Sequence, residues 1–421
     1  MRQMKDSGIE WIGKIPKTWE VKRLKNLCTS NESMIADGDW IESPDISDEG
    51  IRYYTTGNIG DGVFKNQGNG FISESTFNKL NCTAVYPGDL VFSRLNNPIG
   101  RACIIPNNYP ICIVAVDNVI VRPDSKYDKR FLVYISMCPG YQETNMLIAR
   151  GTTMQRMSRS QLQNVDMPIP PLADQQRIAD YLDENCGEID SLIGLQEQMI
   201  EKLKAYKQSV ITEAVTKGLD PNAKLVPSGI DWIGEIPEHW DIIKVGFIFD
   251  NLDNLREPIS AEMRERNNPQ YDYYGASGVI DKIDHYNVDD KVLLIGEDGA
   301  NLVMRNLPLI YKAEGKFWVN NHAHILKPRK DDYDFMAHAL EACNYRDYIT
   351  GSAQPKLSQE NLSRVQLPVP PLSEQQAIAS YLDSKCSDID RLIALKQQKI
   401  ETLKDYKKSV IYEAVTGKTE I

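Results

Sequence analysis

Two long stretches of the chain share one hydrophobic pattern, in which apolar residues return every three or four positions. The first stretch follows Pro171 and the second follows Pro371. This spacing places the apolar side chains on one face of an α-helix. The residues of the two stripes are Leu182, Ile189, Leu192, Ile193, Ile200 and Leu203, and then Leu382, Ile389, Leu392, Ile393, Ile400 and Leu403.

Each predicted helix is too long to be covered by a small domain. A helix of about forty residues, at a rise of about 1.5 Å per residue, forms a rod of about 60 Å. Its apolar stripe therefore needs an equally long partner. We predict that the two helices pair with each other as an antiparallel coiled coil. The alternative is that each helix lies separately on its own domain.

Residues around the helix ends indicate where each helix starts and stops. Ser373 is the expected N-cap of the second helix. The first helix has Ala173 at that place, so Asp174 would have to cap it. Gly218 and Gly417 are expected to end the two helices, because glycine readily adopts the left-handed conformation that closes a helix.

The helices belong to an internal duplication. Residues 168–216 match residues 368–416 without a gap, with 31 identities in 49 positions. A second repeat lies upstream of each, since "SGIEWIGKIPKTW" at 7–19 matches "SGIDWIGEIPEHW" at 228–240 at 9 of 13 positions. The chain thus reads as a variable domain followed by a constant helix, twice over.

The variable stretches predict mixed α and β structure. The short apolar runs "DLVFSR", "ACIIP", "ICIVAVDNVIVRP", "KVLLIG", "NLVMR" and "AHILKP" are typical of strands, whereas the stretches from Lys126 and from Asp331 have helical spacing. We predict an α+β fold of two mixed α/β domains related by pseudo-twofold symmetry, joined and separated by the helix pair. The boundaries are 1–167 for the first domain, 168–220 for the central helix, 221–367 for the second domain and 368–421 for the distal helix.

The charge of the chain limits how it could bind nucleic acid. Its 421 residues carry a formal net charge of −11, which argues against binding DNA by bulk positive charge. Any nucleic-acid role needs local basic patches or positive surface from a partner. The chain has no signal-peptide pattern and no long apolar run, and its eight cysteines never form a CxxC pair, so we expect a cytoplasmic protein.

A search for catalytic chemistry finds no complete set of residues. "NNPIG" at 96–100 and "NNPQY" at 267–271 each lack the second proline of an adenine methyltransferase motif. "RPDSKYDKR" has the letters of a nuclease site but reads as a strand that runs into a helix. His322 and His324 alternate along a predicted strand without a third ligand, which favours a hydrogen-bonding surface over a metal site. We expect no enzyme activity, no metal and no cofactor in this chain.

A non-catalytic chain with two different domains on constant helices is suited to present two recognition surfaces. In duplex DNA, Arg and Lys read guanine, and Asn and Gln read adenine. Loops at matching places in both halves carry these residue types, although each could equally be a solvated turn. The candidates are Arg94, Asn96, Asn97, Arg101, Thr152, Thr153, Gln155, Arg156, Asn301, Arg305, His322, Gln354 and Lys356.

The segments "PIPPLADQQRIADYLD" and "PVPPLSEQQAIASYLD", with "SGIEWIGKIPKTW" and a turn of glycine and glutamine ahead of each helix, resemble the specificity subunit of a Type I restriction-modification system. The resemblance covers essentially the whole chain. It implies that each variable domain reads one half of a bipartite, asymmetric double-stranded DNA site, while the helices fix the spacer between the halves. It also implies that the subunit has no catalytic activity of its own.

The resemblance further implies the partners. Two modification subunits, which bind S-adenosylmethionine and methylate adenine, would dock on the helices. Restriction subunits that use ATP and Mg for translocation would join them, and no membrane partner is expected. The "DQQ" and "EQQ" ends of the helices would be exposed near these contacts. Two alternatives stay open: a protein-only adapter or decoy for modification subunits, and a fused DNA methyltransferase or nuclease.

Overall fold

The computed structural model of the chain describes residues 2–95, 98–151, 155–260, 262, 270–351 and 355–421. These residues form two compact units. Unit 1 comprises Met1–Gln196 and Gln398–Ile421, and unit 2 comprises Glu197–Gln397. Each unit thus combines one variable segment with the first half of the helix that follows it and the second half of the other long helix.

Unit 1 is a mixed α/β body. Its strands are β1 (Met4–Asp6), β2 (Lys14–Pro16), β3 (Glu20–Arg23), β4 (Met34–Asp37), β5 (Ile51–Tyr54), β6 (Phe71–Ile72), β7 (Leu90–Ser93), β8 (Ala102–Ile104), β9 (Cys112–Val114), β10 (Asn118–Arg122) and β11 (Asp166–Ile169). Its helices are α1 (Glu74–Leu80), α2 (Lys129–Ser136), α3 (Pro139–Ile148), α4 (Arg159–Gln163) and the start of α5 (Leu172–Lys217). Short 3-10 turns lie at Leu24–Leu27, Ser43–Asp45 and Thr56–Asn58.

Unit 2 repeats most of these elements. Its strands are β12 (Leu225–Pro227), β13 (Glu235–Pro237), β14 (Asp241–Lys244), β15 (Phe249–Asn251), β16 (Tyr271–Gly275), β17 (Gly278–Ile283), β18 (Val288–Gly296), β19 (Ile310–Val319), β20 (Ala323–Pro328) and β21 (Gln366–Val369). Its helices are α6 (Val245–Ile248), α7 (Gly299–Met304), α8 (Tyr333–Ala342), α9 (Gln359–Arg364) and the start of α10 (Leu372–Val415). Its 3-10 turns are Asp253–Leu255 and Arg346–Tyr348.

The sheets of the two units follow one plan. In unit 1 a sheet of order β4-β10-β7-β8 is accompanied by a second sheet of order β6-β5-β9. In unit 2 the equivalent strands form one sheet of order β15-β20-β18-β19-β16-β17. The sheet is continuous because the long strand β19 occupies the positions of both β8 and β9. The parallel pairing of Tyr53 with Ile113 in unit 1 recurs as Tyr273 with Trp318 in unit 2. The two variable segments therefore share a fold despite their different side chains.

Most predicted elements are confirmed, but the "NLVMR" run is a helix and not a strand. It forms α7, which begins after Asp298 and ends at Arg305 in the left-handed conformation at a φ of 52°. Leu302 is buried while the neighbouring Val303 and Met304 are exposed. A short apolar run has the same letters whether it is a strand or one buried turn of helix, so periodicity alone could not separate the two.

The long helices pair in antiparallel fashion within each unit. In unit 1 the ammonium of Lys407 in α10 lies 2.7 Å from the carboxylate of Asp190 in α5. In unit 2 Lys207 of α5 lies 2.7 Å from Asp390 of α10. Beside these ion pairs, the first turns of one helix share a hydrophobic core with the last turns of the other. In unit 1, for example, Leu182 of α5 and Ile411 of α10 belong to the same core.

The residues of the predicted apolar stripe differ in burial. Leu182, Ile189 and Ile200 are buried, as are Leu382, Ile389 and Ile400, and Ile193, Leu203, Ile393 and Leu403 are half-buried. Leu192 and Leu392, however, are each 45% exposed. Adjacent residues of a helix point about 100° apart, and here Ile193 lies closer to the centre of the buried face than Leu192 does.

The helix ends correct one prediction and confirm another. The helices begin at Leu172 and Leu372, so Asp174 and Ser373 lie inside the first turn and are not N-caps. The carbonyl of the preceding proline accepts the first backbone hydrogen bonds instead. Gly218 and Gly417 end the helices as predicted, with φ values of 74° and 69°.

Candidate nucleic-acid interface

A loop of identical length precedes the final short helix of each unit. Loop 1 comprises residues 150–156 of unit 1. The backbone amides of its closing residues, Arg150 and Arg156, each donate to the carbonyl of the other, at 3.0 and 2.9 Å. In unit 2, loop 2 (residues 350–356) is closed in the same way by Thr350 and Lys356 at 3.0 and 2.8 Å. The glycine that follows the first closing residue has a positive φ in both loops. The two loops are therefore closed by equivalent backbone hydrogen bonds.

The base of loop 1 is attached to the end of strand β7. Arg156 forms an antiparallel bridge with Leu95. The next amide, that of Met157, donates to the carbonyl of Arg94 at 3.0 Å, and the Arg94 amide donates to the carbonyl of Asp117 at 2.8 Å. A continuous set of backbone hydrogen bonds thus connects loop 1 through β7 to the start of β10.

The base of loop 2 has the same attachment. Lys356 forms an antiparallel bridge with Asp298. The Leu357 amide donates to the carbonyl of Glu297 at 2.9 Å, and the Glu297 amide donates to the carbonyl of His322 at 2.8 Å. Positions 94, 117 and 156 of unit 1 therefore correspond to positions 297, 322 and 356 of unit 2.

Arg94 is buried at the base of loop 1. Its guanidinium donates to the carbonyl of Met157 at 3.1 Å and to that of Val116 at 2.7 Å. The carboxylate of Asp37 lies 3.2 Å away. Burial lowers the pKa of Arg94, and the nearby carboxylate opposes this shift. Since arginine stays charged in proteins, Arg94 is a buried cation whose donors are used to hold the loop.

The solvent side of loop 1 has an excess of arginine. The Arg156 guanidinium lies 2.6 Å from Asp117, and that of Arg159 lies 3.2 Å from Asp37. Both arginine side chains are about half-exposed, and Arg150 is exposed as well. Three exposed arginines meet two carboxylates, so loop 1 presents a positive surface to solvent.

Loop 2 has no such positive excess. Lys356 lies 3.2 Å from the carboxylate of Glu297, which also binds Arg256 at 3.0 Å. His322 lies 3.4 Å from Asp298. Burial raises the pKa of Glu297, but the hydrogen bonds from Lys356 and Arg256 outweigh it and hold the pKa below its usual value. Loop 2 is therefore held by a network of paired charges.

The alternating pattern predicted that His322 and His324 share a surface, and this prediction is wrong. His322 is exposed ahead of β20, whereas His324 is only 1% exposed. The Nδ1 of His324 lies 2.6 Å from a carboxylate oxygen of Asp253, and its Nε2 lies 2.7 Å from the carbonyl of Leu357. The buried ring is thus attached to the residue directly after loop 2.

Several predicted DNA contacts have their donors occupied within the fold. Arg101 is buried and donates to carbonyls of Thr56, Ile59, Leu95 and Pro98. The Arg305 guanidinium donates to Gln208 and to carbonyls of Glu341, Ala342 and Cys343. The amide of Asn301 donates to the carbonyls of Leu307 and Pro308. Together with Arg94, these side chains support loops, and their geometry does not favour base contacts.

The remaining candidates divide into two groups. Gln155, Arg156, His322 and Lys356 are exposed at the bases of the loops. Asn96, Asn97, Thr152, Thr153 and Gln354 lie outside the described residues, so they stay predictions. The acids that pair with the loops, Asp37, Asp117 and Glu297, were missed because they lie far from the loops along the chain.

The "DQQ" and "EQQ" segments are not wholly exposed, because their central glutamines are buried. The Gln175 side-chain oxygen accepts from the amide of Asp128 at 2.8 Å, and the Gln375 oxygen accepts from that of Asp332 at 2.7 Å. The side-chain NH2 of each glutamine donates to the carbonyl of a proline ahead of the helix. The same glutamine occurs at this position in both repeats, and this identity could have revealed a buried hydrogen bond between each long helix and its domain.

Among the described residues, no group of three or more His, Cys, Asp and Glu side chains could hold a metal ion. None of the described helices is long and apolar enough to cross a membrane.

Comparison with known proteins defines the class to which these two units belong. The family model described as the Type I restriction modification DNA specificity domain matches the chain twice, at residues 16–205 and 237–405. The two matches together span most of the chain and fall one in each repeat. The chain belongs to this family, and it is a specificity subunit, the non-catalytic component of a restriction-modification complex.

Individual relatives agree with this assignment. The chain is 25% identical over 433 residues to the specificity subunit assigned to the type I restriction enzyme MjaX of Methanocaldococcus jannaschii, covering 97% of this chain and 96% of that protein. It is 29% identical over 182 residues to the EcoBI specificity subunit of Escherichia coli, covering 42% of this chain and 36% of that one.

Solved structures share the fold. A chain from a study of complex assembly and conformational transition of the type I R-M system matches with a TM-score of 0.71 at 15% identity, over 96% of this chain and 99% of that one. The HsdS subunit from Thermoanaerobacter tengcongensis matches with a TM-score of 0.50 at 15% identity, over 96% and 98%. The predicted α+β fold with paired long helices is confirmed.

Proposed function

We propose that each unit reads one half of a bipartite, asymmetric double-stranded DNA site, and that loops 1 and 2 enter the two half-sites. The observation that carries this proposal comes from comparing the bases of loops 1 and 2. The backbone attachments are the same in both units, while the side chains on them differ in charge and shape. A fixed backbone with variable polar side chains is what two different half-site sequences require.

The exposed side chains at the loop bases suit DNA chemistry. Arg156 can donate two parallel hydrogen bonds to guanine, and Lys356 can donate to the same acceptors or to a phosphate. Gln155 and His322 add further donors and acceptors. The predicted contacts outside the described residues are Thr152, Thr153, Gln354, Asn96 and Asn97.

The acidic charge of the chain supports a function within an assembly. With a net charge of −11, the isolated chain gains little from the electrostatic attraction that dominates DNA affinity. We propose that two modification subunits, which would bind S-adenosylmethionine, supply the missing positive surface. Restriction subunits that use ATP and Mg would complete the complex.

The paired helices suit the role of a ruler between the two half-sites. An added helical turn lengthens a helix by about 5.4 Å, and B-DNA rises about 3.4 Å per base pair. Insertion of one turn at matched positions of α5 and α10 should therefore lengthen the spacer of the recognised site by one or two base pairs. An unchanged spacer would contradict the ruler role.

Methylation mapping tests the function directly. Cells that express the modification subunits with this chain should gain methylated adenines in one new bipartite motif, and cells without the chain should lack it. Absence of a new motif, with the complex still assembled, would instead support a protein-only adapter. S-adenosylmethionine consumption by the purified chain alone would support a fused methyltransferase.

A further inference from the structure

Both units use a buried side chain to hold the carbonyl of the residue that follows the loop. In unit 1 the guanidinium of Arg94 donates to the carbonyl of Met157 at 3.1 Å. In unit 2 the Nε2 of His324 donates to the carbonyl of Leu357 at 2.7 Å. Met157 and Leu357 are equivalent, but Arg94 lies at the end of β7 and His324 lies in β20. The same bond is thus made by different residues from different places in the fold.

We propose that His324 is a positioning residue for recognition of the second half-site. It fixes the base of loop 2 from the protein interior, so that Lys356 and the loop enter DNA in one orientation. This inference rests on the proposed function, in which loop 2 enters DNA. It assigns to His324 no contact with DNA itself.

The hydrogen bonds of the ring show which role each nitrogen has. A carbonyl oxygen can only accept, so Nε2 must donate to Leu357. Burial raises the pKa of Asp253, but interactions with His324, the Ile325 amide and Arg256 together outweigh it and keep the pKa of this carboxyl below its usual value. On the other side of the ring, the Nδ1 of His324 lies 2.6 Å from a carboxylate oxygen of Asp253.

The position of Leu357 makes this single bond important. Its amide donates to the carbonyl of Glu297 at 2.9 Å, and its carbonyl accepts from His324. Leu357 is therefore held through both of its backbone groups, directly after Lys356, whose ammonium lies 3.2 Å from the Glu297 carboxylate. Loss of the His324 bond would free the Leu357 carbonyl and loosen the base of loop 2.

A matched pair of variants separates positioning from packing. In His324→Gln the side-chain NH2 falls near the place of Nε2 and can still donate to Leu357. In His324→Asn the NH2 falls near the place of Nδ1 and can donate only to Asp253. Each variant is a neutral amide that keeps a different one of the two bonds. A structural role through the Asp253 bond would weaken His324→Gln more, whereas positioning through Leu357 would weaken His324→Asn more.

The readout is DNA discrimination by the assembled modification complex. Binding is measured to a duplex with the whole site that the wild-type complex methylates, and to two duplexes in which one half-site is scrambled. His324→Asn should lower discrimination at the second half-site by about tenfold or more, the factor expected from one lost buried hydrogen bond. His324→Gln should stay within about threefold of wild type, and the first half-site should be unchanged in both variants.

A further variant covers the case in which His324→Asn fails to fold. Asp253→Asn keeps an acceptor for the Ile325 amide and lets a neutral His324 still donate to Leu357, so it should retain discrimination at the second half-site. Equal losses in His324→Gln and His324→Asn, or a loss in Asp253→Asn as large as in His324→Asn, would overturn the proposal. Failure of the wild-type complex to discriminate either half-site would instead overturn the proposed function.

Discussion

At the base of loop 1 the residue directly after β7 is Arg94, whereas the equivalent residue at the base of loop 2, directly after β18, is Glu297. The residue directly ahead of the neighbouring strand is Asp117 in unit 1 and His322 in unit 2. Each loop ends in a basic closing residue that pairs with an acid: Arg156 pairs with Asp117, and Lys356 pairs with Glu297. The backbone hydrogen bonds are alike in both units, so they set the geometry of the loop. Side-chain chemistry is then free to differ between the half-sites.

The largest effect is expected where the two units agree. Gln175→Ala and Gln375→Ala should each lower the free energy of unfolding by about 2–3 kcal/mol, because each leaves a buried amide and a buried carbonyl without a partner. Chemical denaturation measures the losses. Gln176→Ala, at an exposed neighbouring position, should cost less than about 0.5 kcal/mol. Clearly unequal losses at 175 and 375 would break the equivalence of the units.

The next effect concerns the closing basic residues. Arg156→Ala and Lys356→Ala should each weaken binding of the assembled complex to its site by about 1–3 kcal/mol. Each variant should relax discrimination only in the half-site read by its own unit, so each serves as the control for the other. Binding titrations on duplexes with one scrambled half-site would measure this. A loss of discrimination at both half-sites in either variant would contradict the separation of the units.

A third prediction uses a difference between the helix starts. The indole NH of Trp240 donates to Glu374 at 3.0 Å, whereas that of Trp19 has no hydrogen-bond partner among the described residues. The shorter Asp174 pairs with Arg177 instead. Asp174→Glu should therefore raise the free energy of unfolding by about 1 kcal/mol, and Glu374→Asp should lower it by a similar amount. An unchanged stability of Asp174→Glu would show that Trp19 does not need this partner.

The smallest effect is a difference in acid sensitivity. The folded-state pKa of Glu297 lies below its unfolded value of 4.5, so its stabilising contribution is complete above pH 4.5 and is lost as the pH falls through the lowered value. The equivalent Arg94 does not titrate in this range. Hydrogen exchange of Leu357 should therefore rise in acid before that of Met157. The opposite order would contradict the role of Glu297.

Much of the fold was predictable because a repeat doubles every local signal. The apolar spacing predicted both long helices, and the constant offset of 200 residues between copies predicted that they are equivalent. The exceptions are positions where local sequence is ambiguous. Leu192 lies beside the buried stripe and yet is exposed, and the "NLVMR" run reads equally well as a strand or a helix.

The candidate site was less predictable for a physical reason. Arg94 and Arg101 were expected on the surface because arginine is seldom buried. Both are buried here because carbonyls of irregular loops accept from their guanidinium groups, and the sequence does not reveal which loops converge. The bond to the residue after the loop is made by Arg94 in one unit and His324 in the other, so no repeated residue marked it.

Exchange of one variable segment tests the central claim most directly. Residues 20–150 would be replaced by the corresponding segment of another member of the family, and methylated adenines would be mapped in cells that express the modification subunits. The expected motif keeps the half-site of unit 2 and the spacer unchanged, while the half-site of unit 1 takes a new sequence. A motif that changes in both halves, or in neither, would contradict the claim that each unit reads its own half of the site.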